Sequence, residues 1–182
     1  MALPEDDPLG HGTYCVNSPT VRGKCGLKVS DFRLQKIECT RYDSSVGNIT
    51  CFLHNQDTAQ SEVDVDFYIS RPVDGILIHM EIWKKLNGNF ILTPINITIN
   101  ACHYFDKKER VPFHASLIMK WVQSVSNINH KCPYIGHVFI KNLNTENFRK
   151  IIPVGDYRLD VKLFEKFFTH PLVLIRGFGK KC

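Results

Sequence analysis

The chain has 182 residues, of which 43% are hydrophobic and 11 are glycine, a mixture typical of one globular domain. This composition excludes a disordered chain and a collagen-like fibre. The formal net charge is +5, and the 23 Lys and Arg residues are spread along the sequence among 18 Asp and Glu residues. Nucleic-acid binding needs a clustered basic stripe, so we expect no nucleic-acid partner. Because no run of about 18 apolar residues occurs, we also expect no transmembrane segment.

The N-terminal part of the chain is rich in Gly, Pro, Asp and Ser and shows no sustained hydrophobic period. We interpret residues 1–30 as an irregular arm, mobile or tethered by a disulfide, followed by one domain over 31–182. Within that domain apolar and polar residues alternate over Val63–Ile69 and over Ile76–Ile82, on either side of a turn at 71–75. A period of two predicts strands, and the short turn predicts that the two strands form a hairpin.

A second turn, at Asn87-Gly88-Asn89, precedes a further strand with Ile95, Ile97 and Ile99 on one face. The opposite face carries Asn96, the first residue of the glycosylation sequon Asn-Ile-Thr. We therefore expect Asn96 to face solvent, where it could carry a glycan.

The hydrophobic period changes once, after Pro112. Apolar residues then follow at Phe113, Leu117, Ile118, Trp121, Val122 and Val125. This spacing predicts one amphipathic helix of about three to four turns, with proline at its first position. The period of two returns at Val138–Ile140, Tyr157–Leu163 and Leu172–Ile175. Because most strands follow one another without a helix between them, the predicted fold is mainly β: an immunoglobulin-like antiparallel β-sandwich with the helix at its edge or mouth.

The seven cysteines are the most informative feature of the composition, and no two of them form a C-x-x-C pair. Together with sequons at Asn48 and Asn96, they favour an oxidising, extracellular compartment. However, Met1–Pro8 has neither the basic start nor the apolar core of a secretory signal peptide. We expect a secreted glycoprotein although no leader is visible; a cytosolic protein with free thiols is the alternative.

Motifs for catalysis and cofactor binding are absent from the sequence. There is no G-x-S-x-G, no H-E-x-x-H and no phosphate loop, so we expect no catalytic residue, no enzyme activity and no cofactor. A Cys2His2 zinc site would require Cys102, His103, His130 and Cys132 to meet in space. Zinc ligands usually lie closer together in sequence, which favours a disulfide between Cys102 and Cys132 beside two surface histidines, and no metal.

Two stretches, 126–134 (SNINHKCPY) and 152–159 (IPVGDYRL), resemble the signature of a large insect family of uncharacterised extracellular proteins. That family also has a pair of cysteines about a dozen residues apart, matched by Cys39 and Cys51, and a strand that ends in Ala-Cys, matched by Ala101-Cys102. The resemblance extends from about Phe32 to Leu174. The sequence departs from the family pattern in three features: the leader is missing, the N-terminal arm is long, and there are three additional cysteines.

The wider relatives of that family are the ML-type lipid-recognition domains, the ganglioside activator protein and the CheB proteins of insect taste organs. Their Cys-Pro dipeptide and later Gly-x-Tyr are matched by Cys132-Pro133 and Gly155-Asp156-Tyr157. These relatives are β-sandwiches that hold a lipid or another apolar molecule between their sheets and have no catalytic residues. The resemblance therefore implies a secreted lipid-binding protein with an ML-like domain over 31–182, and a chemosensory role.

The resemblance also implies disulfide pairings, Cys39 with Cys51 and Cys102 with Cys132. A third bridge would join Cys25 to Cys182, as a first cysteine joins the last in some relatives, or Cys15 to Cys25. Either arrangement leaves one odd thiol, which in a secreted protein suggests a covalent dimer or partner.

Two functions are consistent with these observations. The first is a carrier of a lipid or hydrocarbon-like molecule; the second is a fully packed module that binds a receptor or another membrane protein. From the residues alone, the stripe Phe113, Leu117 and Trp121 could be packed core or could close one end of a cavity. For the carrier we predict an apolar pocket lined by Ile78, Met80, Ile82, Ile95, Ile97, Phe113, Leu117, Trp121, Leu159 and Val161.

Overall fold

The computed structural model describes residues 31–106, 111–150, 152–166 and 169–182. The predicted arm over 1–30 lies outside them. The elements in chain order are β1 (Phe32–Arg41), β2 (Thr50–His54), β3 (Glu62–Val73), β4 (Ile76–Leu86), β5 (Asn89–Asn100), α1 (Ala101–Phe105), α2 (Phe113–Ser124), β6 (Tyr134–Asn144), a 3₁₀ helix (Thr145–Lys150), β7 (Gly155–Glu165) and β8 (Val173–Lys181).

Two antiparallel sheets form a sandwich. One sheet has five strands in the order β1-β8-β7-β4-β5, and the other has three in the order β2-β3-β6. The predicted fold class, a mainly β antiparallel sandwich, is confirmed. The one long helix, α2, joins the two sheets through the connection from β5 to β6, because these strands lie at an edge of their respective sheets.

The predicted hairpin between the strands at 63–69 and 76–82 is wrong, although both strands exist. Strand β3 pairs with β2 and β6, whereas β4 pairs with β5 and β7 in the other sheet. The chain crosses between the sheets at Asp74-Gly75, where the Gly75 carbonyl accepts a hydrogen bond of 2.7 Å from the Lys166 amide. Alternation shows which side chains face inward, but it does not show which strand is the partner.

The second predicted turn does form a hairpin. Leu86 pairs with Asn89 across the two residues Asn87 (φ 50°) and Gly88 (φ 87°). Positive φ at both central positions is the geometry of a type I′ turn, which asparagine followed by glycine adopts most readily.

Completely buried side chains fill one end of the sandwich. Ile69 and Val73 from β3 lie there with Ile99 from β5 and Val173 from β8, and each is at most 1% exposed. Cys102 of α1 is joined to Cys132, with their Cα atoms 5.4 Å apart, close to the same end. These four side chains are among the most completely buried residues of the core.

The outer face of the five-stranded sheet carries two carboxylates in ion pairs. Asp160 is only 2% exposed and accepts hydrogen bonds of 2.8 and 3.1 Å from the Arg176 guanidinium. Glu81 accepts one of 2.9 Å from Lys162 and lies 3.0 Å from the His79 ring nitrogen. Burial of Glu81 opposes its ionisation, but the bonds from Lys162 and His79 outweigh burial and lower its pKa below the usual 4.5.

Candidate functional site

A cavity of about 150 Å³ lies between the two sheets. Its floor is formed by neighbouring rungs of the five-stranded sheet. One rung contains Met80, Val161 and Ile175, and the next contains Ile82, Leu159 and Gly177. Directly paired residues in a sheet point to the same face, so each rung faces the cavity as a row, although Gly177 contributes no side chain to the second one.

The opposite wall comes from the three-stranded sheet and from helix α2. Val63 and Phe67 project from β3, and Ile140 and Leu143 project from β6. Helix α2 closes one side with Ile118, Met119, Trp121 and Val122. The wall is therefore assembled from segments that are far apart in the sequence.

The 3₁₀ helix closes the end of the cavity that is remote from the packed core. Its Phe148 ring lies between Trp121, at a centroid distance of 5.5 Å, and Phe32, at 5.8 Å. Such tilted aromatic contacts add packing energy beyond the area that they bury. These three rings form an aromatic wall at this end.

Two hydroxyl groups belong to lining residues, and each donates its hydrogen bond to a backbone carbonyl. Thr145 donates to Ser61 at 3.1 Å, and Tyr157 donates to Pro153 at 2.9 Å. Burial raises the pKa of the Tyr157 phenol, so the group stays neutral at physiological pH. Almost no polar atom reaches the surface of the cavity, which leaves it lined by hydrocarbon and sulfur.

The structure brings six of the predicted pocket residues to the cavity wall. They are Ile78, Met80, Ile82, Trp121, Leu159 and Val161. Ile95 and Ile97 face inward on β5 but pack against the core without lining the cavity. Their strand is the edge of the five-stranded sheet, so their side chains lie to one side of the space between the sheets.

The prediction for the other two helical residues is corrected by the structure. Phe113 is 79% exposed and Leu117 is 45% exposed, so neither lines the cavity. The helix buries Ala115, Ile118 and Met119. Ile118 belongs to the predicted face, and Ala115 and Met119 extend the buried stripe on the side away from Phe113 and Leu117. Ala115 is fully buried, so the side of the helix that carries it faces the sandwich.

Several lining residues were not predicted from the sequence. Phe32, Leu34 and Ile37 come from β1, and Phe148 and Ile152 lie in and just after the 3₁₀ helix. A signal was present in β1, where Phe32 and Leu34 alternate with charged and polar residues. The 3₁₀ helix gives no periodic signal, because it is only one to two turns long.

The predicted cysteine and sequon residues have defined places. Cys39 and Cys51 are bonded to each other and close the edge of the sandwich between β1 and β2, with Cα atoms 6.1 Å apart. Cys182 is also disulfide-bonded; its predicted partner, Cys25, lies outside the described residues. Asn48 and Asn96 are exposed, and their glycosylation stays a prediction.

The zinc alternative does not hold, because Cys102 and Cys132 are bonded to each other. Within the described ranges, no group of three or more His, Cys, Asp or Glu side chains could hold a metal ion. In the same part of the chain, no helix is long and apolar enough to cross a bilayer.

Comparison with known proteins gives three findings. Chicken MD-1, solved in complex with lipid IVa, is similar to this chain with 11% identity and a TM-score of 0.40, and the match covers 84% of this chain and 99% of that one. No curated protein matches the sequence. Residues 78–159 match the family described as "Protein of unknown function (DUF1091)". This range contains the Ala-Cys, Cys-Pro and Gly-x-Tyr motifs, so the resemblance to a family of uncharacterised proteins is confirmed there, and the chain carries the DUF1091 signature over residues 78–159.

Proposed function

We propose that this protein is a secreted, non-enzymatic binding protein that holds a lipid or another small apolar molecule between its two β-sheets. The observation that carries the proposal is the apolar cavity of about 150 Å³. Protein interiors are normally packed as densely as organic crystals, with few voids larger than a water molecule. A void of this size, without polar groups to hold water, is suited to an apolar ligand.

The chemistry of the wall supports binding rather than catalysis. No charged side chain lines the cavity among the described residues, and the Thr145 and Tyr157 hydroxyls are occupied by backbone carbonyls. A catalytic site would need a nucleophile or a base within reach of a bound substrate. The cavity therefore provides an apolar environment for a ligand, and the described residues that line it provide no reacting group.

The extracellular part of the proposal is supported by the disulfides. Cys39–Cys51 and Cys102–Cys132 each join segments that belong to different layers or connections of the fold. Structural disulfides of this kind persist in oxidising compartments and are rare in the cytosol. The exposed positions of Asn48 and Asn96 are compatible with glycans added during secretion.

The test is native mass spectrometry of the full chain secreted from insect cells behind an added signal peptide, before and after organic extraction. We expect an extractable adduct of lipid or hydrocarbon size. The extracted protein should then show a melting temperature that rises with the concentration of added ligand. A bare polypeptide whose melting temperature is unchanged by any apolar ligand would contradict the proposal.

A second candidate is an interaction module that acts by binding a receptor or channel protein. The observation in its favour is the pair Phe113 and Leu117, which expose large apolar side chains one helical turn apart on α2. This candidate predicts that the double substitution Phe113→Ser and Leu117→Ser abolishes binding to cells that respond to the protein. It also predicts that the cavity has no effect on cell binding. Unchanged cell binding by the double variant would exclude this surface.

A further inference from the structure

Resting on the proposed function, we infer that the buried part of the ligand is one unbranched hydrocarbon chain of about ten carbons that carries no polar group. The shape, volume and hydrogen bonding of the cavity lead to this ligand class. A lipid with two or more acyl chains and a rigid polycyclic molecule such as a sterol are then poor ligands.

The hydrogen bonds of the wall exclude a polar group on the buried chain. Thr145 and Tyr157 are the lining residues with a hydroxyl, and both hydroxyls point away from the cavity toward the carbonyls of Ser61 and Pro153. A ligand hydroxyl, ester or carboxylate inside would lose its hydrogen bonds to water and gain none. That loss weakens binding by about tenfold or more for each polar group.

The volume sets the length of the chain. About 10 to 15 Å³ of such space holds one water-sized group, so 150 Å³ accommodates on the order of ten methylene groups. A second acyl chain would exceed this volume and require the sheets to separate. The Cys39–Cys51 disulfide opposes that separation, because it joins the two sheets along one edge.

The outline of the cavity favours one chain over a ring system. Four residues of β7 line it at every second position, namely Tyr157, Leu159, Val161 and Leu163. The six residue steps from Tyr157 to Leu163 extend for about 20 Å along the strand. The lining therefore follows the strand, and a space elongated along a strand suits a hydrocarbon chain better than a compact ring system.

The wall can adapt to the path of such a chain. Met80 lies in the floor and Met119 in the helical side of the cavity. Methionine is unbranched and rotates freely about its side-chain bonds, so it can fill the gaps that a bent or unsaturated chain leaves. Variation in chain unsaturation should therefore matter less than the presence of a polar group.

The experiment is isothermal titration calorimetry of the extracted, full-length protein with 1-alkanols of increasing length, 1,10-decanediol and a two-chain phosphatidylcholine. We expect affinity to increase about two- to fourfold for each added CH₂ up to about ten carbons and then to level off. The diol should bind at least about tenfold more weakly than 1-decanol, because one of its hydroxyls must enter the apolar space. The phospholipid should not compete with 1-decanol.

The outcomes separate the inference from the proposed function. A diol as tight as the alcohol, an affinity that still increases beyond about 14 carbons, or full competition by the phospholipid would each overturn the single-chain inference while leaving a lipid carrier. Binding of none of the probes by the folded protein would overturn the inference and the proposed function together.

Discussion

Filling the cavity should stabilise the empty protein while destroying its ability to bind a ligand. Val161 is the position of choice, because it lies in the middle of β7 and is paired with Met80 on one side and Ile175 on the other, all three on the cavity floor. Val161→Phe directs an aromatic ring into the empty space. The change keeps a residue with high β-propensity in the strand.

The size of both effects follows from the volume of the cavity. At about 24 cal/mol per Å³, an empty space of 150 Å³ lowers the stability by roughly 3 to 4 kcal/mol relative to a packed interior. Phe exceeds Val by about four carbons, so it fills roughly 40% of the space for about ten groups and recovers up to about 1.5 kcal/mol, less any strain. Excluding about four methylenes of ligand removes about 3 kcal/mol of binding, which is a hundredfold loss or more.

The assay compares wild type, Val161→Phe and a matched control in thermal unfolding, with and without 1-decanol. Val154→Phe is the control, since it makes the same chemical change at a valine that is 59% exposed. For a chain of this size, we expect Val161→Phe to melt up to about 5 °C higher without ligand and to show no further rise with it. The control should behave as wild type. A Val161→Phe protein that is strongly destabilised, or that still gains stability from decanol as wild type does, would refute the argument from cavity volume.

Three further predictions concern the stability of the sandwich. Asp160→Asn should destabilise the domain by about 2 kcal/mol in urea, because Arg176 loses its carboxylate while remaining partly exposed; an unchanged midpoint would mean that the ion pair is not needed. Glu81 has a lowered pKa, so its contribution is present above pH 4.5 and is lost as the pH falls through the folded-state value. Glu81→Gln should therefore lower the urea midpoint at neutral pH and reduce its decline toward about pH 3, and an identical decline in both proteins would count against this assignment. Replacing Cys39 and Cys51 together by serine should destabilise the protein by about 3 kcal/mol in thermal unfolding, whereas no change would show that the loop is already restricted in the unfolded chain.

The inward face could be predicted from the sequence for the strands whose alternation is regular, such as β7. Leu159 and Val161 were assigned to the interior from alternation alone, and both line the cavity. A period of two is reliable because a shift of one residue would expose the whole apolar set. The pairing of β3 and β4 could not be predicted in the same way, because strand partners depend on side chains and turns elsewhere in the chain.

The buried face of helix α2 was harder to predict, for a different reason. The apolar residues of the helix cover a wide face, with Phe113 and Leu117 at one border, Ala115 and Met119 at the other, and Ile118 between them. Hydrophobicity favours the border with Phe113 and Leu117, since it has the larger residues. The structure instead buries the opposite border, where Ala115 is fully buried.

The presence of the cavity itself could not be predicted, and the glycines of β8 explain why. A Cβ atom added at Gly177 would lie 3.2 Å from the Leu34 side chain, and one added at Gly179 would lie 2.8 Å from the Arg33 carbonyl. Glycine in a strand indicates that another part of the chain approaches closely, but only the order β1-β8 identifies β1 as that part. Gly177 has no side chain, so Leu34 lies against the backbone there and β8 contributes no side chain to the floor beside Leu159. Whether the interior is fully packed or holds a cavity therefore depends on how well the side chains of the two facing layers fill the space between them. That depends on residues more than a hundred positions apart in the sequence, and no local pattern reveals it.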